Sequence, residues 1–403
     1  MSTTSAPAYS GIAIVGGGLG GLALLLTLSR RGVPATLYER DTDAASRARL
    51  GGSLDLGYES GQRALRENGL ETAFKKYSRE EGDAMKICDA AGTVVFDDSH
   101  FGPRTSDTHR PEIDRADLRQ ILVDACPAAS IQWGHSLLEV RPLDDGTGRH
   151  ELVFADGARA VHDYIVGADG AHSRVRPLVS AAVPEFTGVN GAEFYLTAET
   201  MALPALAAAR AFVGEGTVNA LQAGRMFALQ ANGRGRMRVY AWFRGPEAWT
   251  LPHEPAAARA AIREMYAGWA GPLFLDVLEH ADEQTMFHRP LYRLPIGHTW
   301  EHRAGVTLVG DAAHMMSPFA GAGANLALLD GLELGLVLVE ELGKGASGDV
   351  EGAVKKLEEK MLAMAGRVAK KTQENLEAFI HDNAPQSVVE RFKVMMAGPP
   401  REG

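Results

Sequence analysis

Two short stretches near opposite ends of the chain carry residue types that could hold a dinucleotide. They are Gly16-Gly17-Gly18-Leu19-Gly20-Gly21 and Gly310-Asp311-Ala312-Ala313-His314. In the first, Gly16 permits a tight turn, Gly18 lets the backbone approach a pyrophosphate, and Gly21 lets the following helix pack closely on a sheet. The unpaired N–H groups of that helix's first turn, from Leu19 and Gly20, add a partial positive charge. Glu39, about 20 residues on and followed by Arg40, would accept hydrogen bonds from the adenosine ribose and disfavours a 2′-phosphate there. In the second stretch, Asp311 follows Gly310 and an apolar run. A ribitol chain wants that carboxylate and those small neighbours, so the pair points to FAD. Asp311 could instead simply cap its turn. Beyond it, Ser317 to Asn325 opens a helix whose first turn holds Gly323, Ala324 and Asn325. N–H groups there would stabilise negative charge on the N1/O2 side of a reduced flavin.

These residues require particular elements. Ile12 to Val15 reads as a strand buried on both faces, Leu19 to Arg31 as a helix stopped by Gly32, and Val33 to Tyr38 as the next strand. Together they make a compact βαβ unit. Glu59 to Asn68 is a predicted helix, and Asp114 with Asp117 starts another through Cys126 as an N-cap. Tyr164 to Gly170 is a strand entering a small-residue turn. Alternation between roughly Phe186 and Phe243, as in Ala192 to Glu199 and Arg236 to Phe243, predicts an antiparallel sheet. A helix at Ala256 to Trp269, a strand-like stretch at Thr285 to Leu294 and a strand at Val306 to Val309 follow. Val350 to His381 then reads as one long helix or two short ones. The expected fold is α/β: a Rossmann-like FAD-binding domain, an inserted antiparallel-sheet substrate domain and a long C-terminal helix. The expected spans are 1–82, 108–182 and 288–345 for the first, 83–107 and 183–287 for the second, and 346–403 for the C-terminal segment.

Composition excludes other classes. A net charge of −10 argues against nucleic-acid binding. Two cysteines, Cys88 and Cys126, have no metal-ligand spacing, read best as small core residues and suggest a reducing, cytoplasmic setting. The most apolar late segment, Leu326 to Val339, is interrupted by Asp330 and Glu333, so no membrane span is expected. Met1 to Tyr9 lacks the basic and apolar regions of a secretory leader. The 13 histidines include no HExxH, and no metal site is expected. His314 could act chemically or serve as packing behind Asp311.

Taken in order, Gly16 to Gly21, Gly167 to Arg176 and Gly310 to His314 resemble the single-component FAD-dependent aromatic hydroxylases, the class A flavoprotein monooxygenases. The resemblance spans about residues 10 to 345. Within that family, Gly51 to Leu56, Ile113 to Arg119 and Pro318 to Gly321 are most similar to the tetracycline-inactivating monooxygenases. The resemblance implies that NADPH or NADH reduces FAD, that O₂ adds at the flavin C4a carbon, and that the hydroperoxide hydroxylates a bound substrate. It also implies that Asp169, Gly170 and Arg176 serve FAD and pyridine-nucleotide binding. Arg119 would face the flavin and Asp55 would lie beside the isoalloxazine, with Pro318 and Gly321 at the reacting centre. The single βαβ fingerprint fits a family with no separate nicotinamide domain.

For the substrate wall, period two puts Arg236, Arg238, Tyr240 and Trp242 on one strand face. That face could grip an acidic aromatic ligand or form a basic stripe toward solvent. The tetracycline-inactivating relatives hold their substrate's polar edge with a Gln, an Arg and a His. Glu193, Thr217 and Arg238 align there and none matches. Phe227, Pro318, Phe319 and Gly321 complete the expected wall. The expected function is hydroxylation of a polycyclic or phenolic molecule, tetracyclines included, or of another aromatic or polyketide metabolite. The alternatives are a flavin reductase or dehydrogenase and a non-catalytic flavin-binding redox sensor. A monomer is expected.

Overall fold

The computed structural model describes residues 11–47, 51–98, 109–143 and 148–397. The leader reading on Met1 to Tyr9, residues 99–107 of the second span and residues 398–403 of the last lie outside them. Five short parallel strands form the first sheet, in the order Val306–Leu308, Tyr164–Gly167, Ile12–Val15, Ala35–Glu39, Ile131–Trp133. The strand Ile12–Val15 is buried along its whole length, as its uniformly apolar sequence requires. Helix Leu19–Arg30 covers the sheet, with Leu22, Leu24, Leu25 and Leu26 fully buried. Across it lies helix Gly323–Gly343. The two approach almost backbone to backbone, because a Cβ on Gly20 would stand 2.9 Å from the Ala327 carbonyl oxygen and one on Gly331 would strike the Gly20 carbonyl.

The second sheet has seven strands, in the order Phe287–His288, Val189–Leu196, Arg236–Arg244, Arg225–Asn232, Thr217–Gln222, Met85–Asp89, Val94–Asp97. One face, with Phe194, Phe227, Leu229, Val239 and Ala241, packs under helices Ala207–Val213, Pro255–Met265 and Asp276–Glu279. Its other face turns toward a two-stranded ribbon, Ser53–Asp55 with Glu112–Asp114. Helix Val350–Phe379 is single and 30 residues long, and it contributes Val354, Met361 and Leu376 to three different core clusters. Among the described residues no helix is long and apolar enough to cross a membrane. Cys88 and Cys126 are buried and unbridged.

Several expectations need correction. The predicted strand Ala192 to Glu199 stops at Leu196, because Thr197 accepts the Thr200 N–H at 3.2 Å and caps the short helix Ala198–Met201. Between Thr285 and Leu294 only Phe287–His288 and Tyr292–Arg293 are strands. Asp114 precedes helix Arg115–Ala125 but caps nothing. Its carboxylate accepts from Arg79 Nη1 at 3.0 Å, the Gly233 N–H at 3.0 Å and Asn232 Nδ2 at 3.2 Å, and also from Arg236. It joins the ribbon to the seven-stranded sheet.

Candidate functional site

Four motif elements meet at the carboxyl ends of adjacent parallel strands. The glycine turn follows Val15, the Gly167–Arg176 loop follows Tyr164–Gly167, the Gly310–His314 turn follows Val306–Leu308, and Glu39 ends its own strand. Register aligns Val15 with Gly167 and Gly167 with Leu308, so the three turns are neighbours. In an open parallel sheet this is where ligands bind.

The turns fit a dinucleotide. Gly18 faces open space, with nothing within 4 Å of a Cβ built on it, and helix Leu19–Arg30 receives no side-chain cap. Its first-turn N–H groups are therefore oriented toward an incoming anion. Gly16 and Gly21 are in close backbone contact at the base of the turn. Glu39 is buried and accepts from the Gly17 N–H at 2.5 Å and the Asp41 N–H at 2.9 Å, which braces the loop. Arg40 is exposed beside it. Asp311 is exposed at the start of the short helix Asp311–His314, and a Cβ on Gly323 would lie 4.0 Å from its Oδ1. Gly323 and Ala324 begin the long helix without a side-chain cap. The residues present thus supply N–H donors at an anion-receiving turn and a carboxylate acceptor at each end, a set that fits FAD.

Arg176 and Asp169 act first as struts. Arg176 is buried and donates to the carbonyls of Ala312 at 2.7 Å, Ala171 at 2.7 Å and Asp311 at 3.2 Å, binding the middle loop to the last one. Asp169 accepts the Arg174 N–H at 2.6 Å; burial raises its carboxyl above the usual range, opposed by Ser173 and nearby backbone N–H groups. His314 is packing behind Asp311: its Nε2 lies 2.6 Å from Asp330 Oδ2, which also accepts the Gly310 N–H at 3.0 Å. Burial opposes protonation of this imidazole, but the Asp330 and Asp311 charges outweigh it and raise the group overall.

Arg119, expected to face the flavin, is bonded to the glycine turn and its surroundings. Its Nε donates to the Gly17 carbonyl at 3.1 Å, Nη1 to the Ala44 carbonyl at 3.0 Å, and Nη2 lies 3.4 Å from Asp41 Oδ2. Those bonds tether it to the glycine turn and the segment after Glu39. The Asn325 side chain is engaged by the protein. Its amide donates to the Asp55 carbonyl at 2.7 Å and accepts from Gly57 N at 2.8 Å, Ser60 Oγ at 3.0 Å and Gly61 N at 3.2 Å. The side chain therefore locks the Asp55–Gly61 segment to the helix and is spent on protein.

Asp55 lies against Gly321, which ends the Pro318–Ala320 turn, and pairs with Arg110 Nε at 2.7 Å. Directly across the ribbon stands Glu112, which no motif predicted. It is buried, and its Oε2 has no hydrogen-bond partner among the described residues. Burial pushes this carboxyl up to about 8; Ser53 and Arg79 draw it down, while Asp55 and Asp83 push it further up.

The inner face of the seven-stranded sheet forms the opposite wall. Arg236, Arg238, Tyr240 and Trp242 share it as period two requires, and it turns inward rather than to solvent: Arg238 Nη2 donates to the Gly51 carbonyl at 2.7 Å. Tyr240 and Trp242 stack at 4.8 Å, and Trp242 meets Phe319 at 5.5 Å. Thr217 sits two strands from Arg238 in the same cross-strand row, by way of Gln230. Glu193 and Arg238 bond each other, and Glu193 also bonds Arg289, a residue without motif signal. Phe227 is corrected: it pairs with Ala241, not Tyr240, so it points to the far face and packs on Tyr266 at 5.3 Å and Phe274 at 5.8 Å. Among the described residues no cluster of His, Cys, Asp or Glu could hold a metal ion.

The profile of the family described as FAD binding domain matches residues 9–352. A monooxygenase, penA from Penicillium thymicola, is 30% identical, with 94% of this chain and 97% of the relative covered. The structure of 2,6-dihydroxypyridine-3-hydroxylase from Arthrobacter nicotinovorans superimposes with a TM-score of 0.77 at 19% identity, covering 95% of this chain and 96% of that one. The tetracycline destructase Tet(55) superimposes with a TM-score of 0.72, also at 19% identity, covering 98% and 96%. At that identity the two structures share the fold.

Proposed function

The chain belongs to the FAD binding domain family, and on that premise we propose that it is an FAD-dependent monooxygenase that hydroxylates a polycyclic or phenolic small molecule. The observation that carries the reading is the meeting of the three turns and Glu39 at adjacent strand ends, opposite an aromatic wall. Monooxygenase activity in the relative penA supports the reaction class. Bound FAD would supply the redox chemistry, taking electrons from NADPH or NADH so that one atom of O₂ enters the substrate and the other leaves as water.

The chain's own residues bind, orient and exclude water. Gly18, Leu19 and Gly20 would receive the pyrophosphate, with Glu39 at the ribose and Arg119 bracing the turn. Asp311 would accept from the ribityl hydroxyls, and Gly323 and Ala324 would present N–H groups to the ring. Asp55, Pro318 and Gly321 would border its edge. Tyr240, Trp242 and Phe319 would stack an aromatic substrate and keep water from the reacting centre. Residues 83–98 and 183–287 would supply most of this wall. Glu193 is already taken up by Arg238 and Arg289, so a tetracycline would not find there the polar grip of the tetracycline-inactivating relatives. Two buried cysteines fit a reducing, cytoplasmic setting.

The test is purified protein with FAD, NADPH, air and a panel of phenols, polyketides and tetracyclines, read by mass spectrometry. The expected result is substrate-stimulated NADPH oxidation and a product heavier by one oxygen. Reduced product without added oxygen would make it a reductase. FAD binding without turnover on any compound would leave a flavin-binding protein.

A further inference from the structure

The family profile ends at residue 352, yet the chain continues through helices Val350–Phe379 and Gln386–Ala397, and these reach the turn that carries Pro318 and Gly321. Asn375 is buried, and its Nδ2 donates to the Phe319 carbonyl at 2.9 Å. Arg391, on the last helix, donates from Nε to Asn375 Oδ1 at 2.7 Å and from Nη2 to Glu374 at 2.9 Å. The amide's orientation is thereby dictated, since a carbonyl only accepts and a guanidinium only donates. The Phe319 ring stands between Trp242 at 5.5 Å and Phe379 at 5.7 Å, and Phe379 packs in turn on Phe392 at 6.4 Å. One flank of Phe319 is therefore the substrate wall, and the other belongs to residues beyond the family profile.

We infer that Asn375 is a positioning residue for the active site, held by Arg391, and that the last two helices thereby set where Phe319 meets an aromatic substrate. The inference rests on the monooxygenase reading for the substrate and on the fold for the geometry. A shift of the turn would move Phe319 and, through Gly321, the Asp55 carboxylate pressed against it. Asp at position 375 keeps the size and the acceptor for Arg391 but sets a carboxylate oxygen against a carbonyl. Met at position 391 removes the group that orients the amide.

The experiment compares Asn375→Asp, Arg391→Met and Arg391→Lys with the parent and with Lys371→Ala, an exposed position on the same helix. Four readouts are taken: the FAD dissociation constant, the visible absorption band, KM against kcat, and hydroxylated product formed per NADPH. Asn375→Asp and Arg391→Met should shift the flavin band and lower kcat/KM about ten- to hundredfold, with less product per NADPH. Arg391→Lys should recover part of the loss, and Lys371→Ala should match the parent. A parent-like band, KM and product yield in both Asn375→Asp and Arg391→Met would overturn the inference. Should Asn375→Asp fail to fold, Arg391→Met decides alone. If the parent binds FAD but hydroxylates nothing, the monooxygenase reading fails, while the flavin band and dissociation constant still decide the positioning role.

Discussion

The Asp55 carboxylate faces Gly321 so closely that a Cβ on Gly321 would stand 2.8 Å from Asp55 Oδ1. Gly321 also holds a left-handed backbone, φ 59°, which a side chain resists. Both constraints act on the turn proposed to border the flavin.

Gly321→Ala should therefore lose roughly 1–2 kcal/mol of stability from backbone strain and push Asp55 aside. Urea unfolding should register the first effect and flavin fluorescence titration, as weaker FAD binding, the second. A variant unchanged in both would mean that the turn tolerates a side chain and is not pressed on Asp55.

Glu112 gives a pH prediction with a definite sign. Its folded carboxyl, at about 8, lies above the ordinary value of 4.5, so its contribution to stability is present below 4.5 and is lost as pH rises through about 8. Glu112→Gln should flatten the stability profile across that window and exceed the parent at the alkaline end by up to a few kcal/mol. The comparison is of denaturant midpoints for parent and variant over the same pH series. Equal slopes would mean that Glu112 ionises normally despite its burial and the charges of Asp55 and Asp83.

Phe227 and Trp242 should separate stability from recognition. Phe227→Ala removes a fully buried ring from the far side of the sheet and should cost about 3–5 kcal/mol. The milder Phe227→Leu should fold and keep the parent's KM. Trp242→Leu, on the inner face beside Phe319, should raise KM for an aromatic substrate. Steady-state kinetics on both leucine variants checks this, and a larger KM change at Phe227 would reverse the assignment of faces.

Glu193→Gln bears on tetracyclines. From the alignment alone, this change would restore the glutamine of the tetracycline-inactivating relatives and help. In the structure Glu193 is the shared partner of Arg238 and Arg289, and Arg238 is buried. Taking one partner from a buried pair costs about 3–5 kcal/mol. Lower stability without faster tetracycline oxidation is expected, measured by thermal melting and product assay. A stable variant with faster turnover would restore the first reading.

Local signals made the dinucleotide half legible. Gly16 to Gly21, Glu39 and Gly310-Asp311 sit on short-range strand–turn–helix units whose turn chemistry is visible in a few consecutive residues. The inner face of Arg236–Arg244 was equally readable, because period two follows from the strand itself. What escaped depended on distant partners. Phe227 follows the same alternation, but which face is inward is decided by the helices from Ala207, Pro255 and Asp276. Asp114 has the type and place of a cap, yet residues 79, 232, 233 and 236 claim its carboxylate. Asn375 and Arg391 matter only because two late helices fold back onto residue 319. Glu112 is buried by the ribbon and Gly82, and nothing adjacent to it in sequence announces that.

The near backbone contact between helix Leu19–Arg30 and helix Gly323–Gly343 bears on how the protein is made. The first is complete early in synthesis, but the surface that shelters its leucines is among the last third to emerge from the ribosome. For most of translation that face must be shielded by other means, so the nascent chain should depend on holdase chaperones. A chain cut just before residue 323 should aggregate rather than persist as a smaller flavin-binding unit.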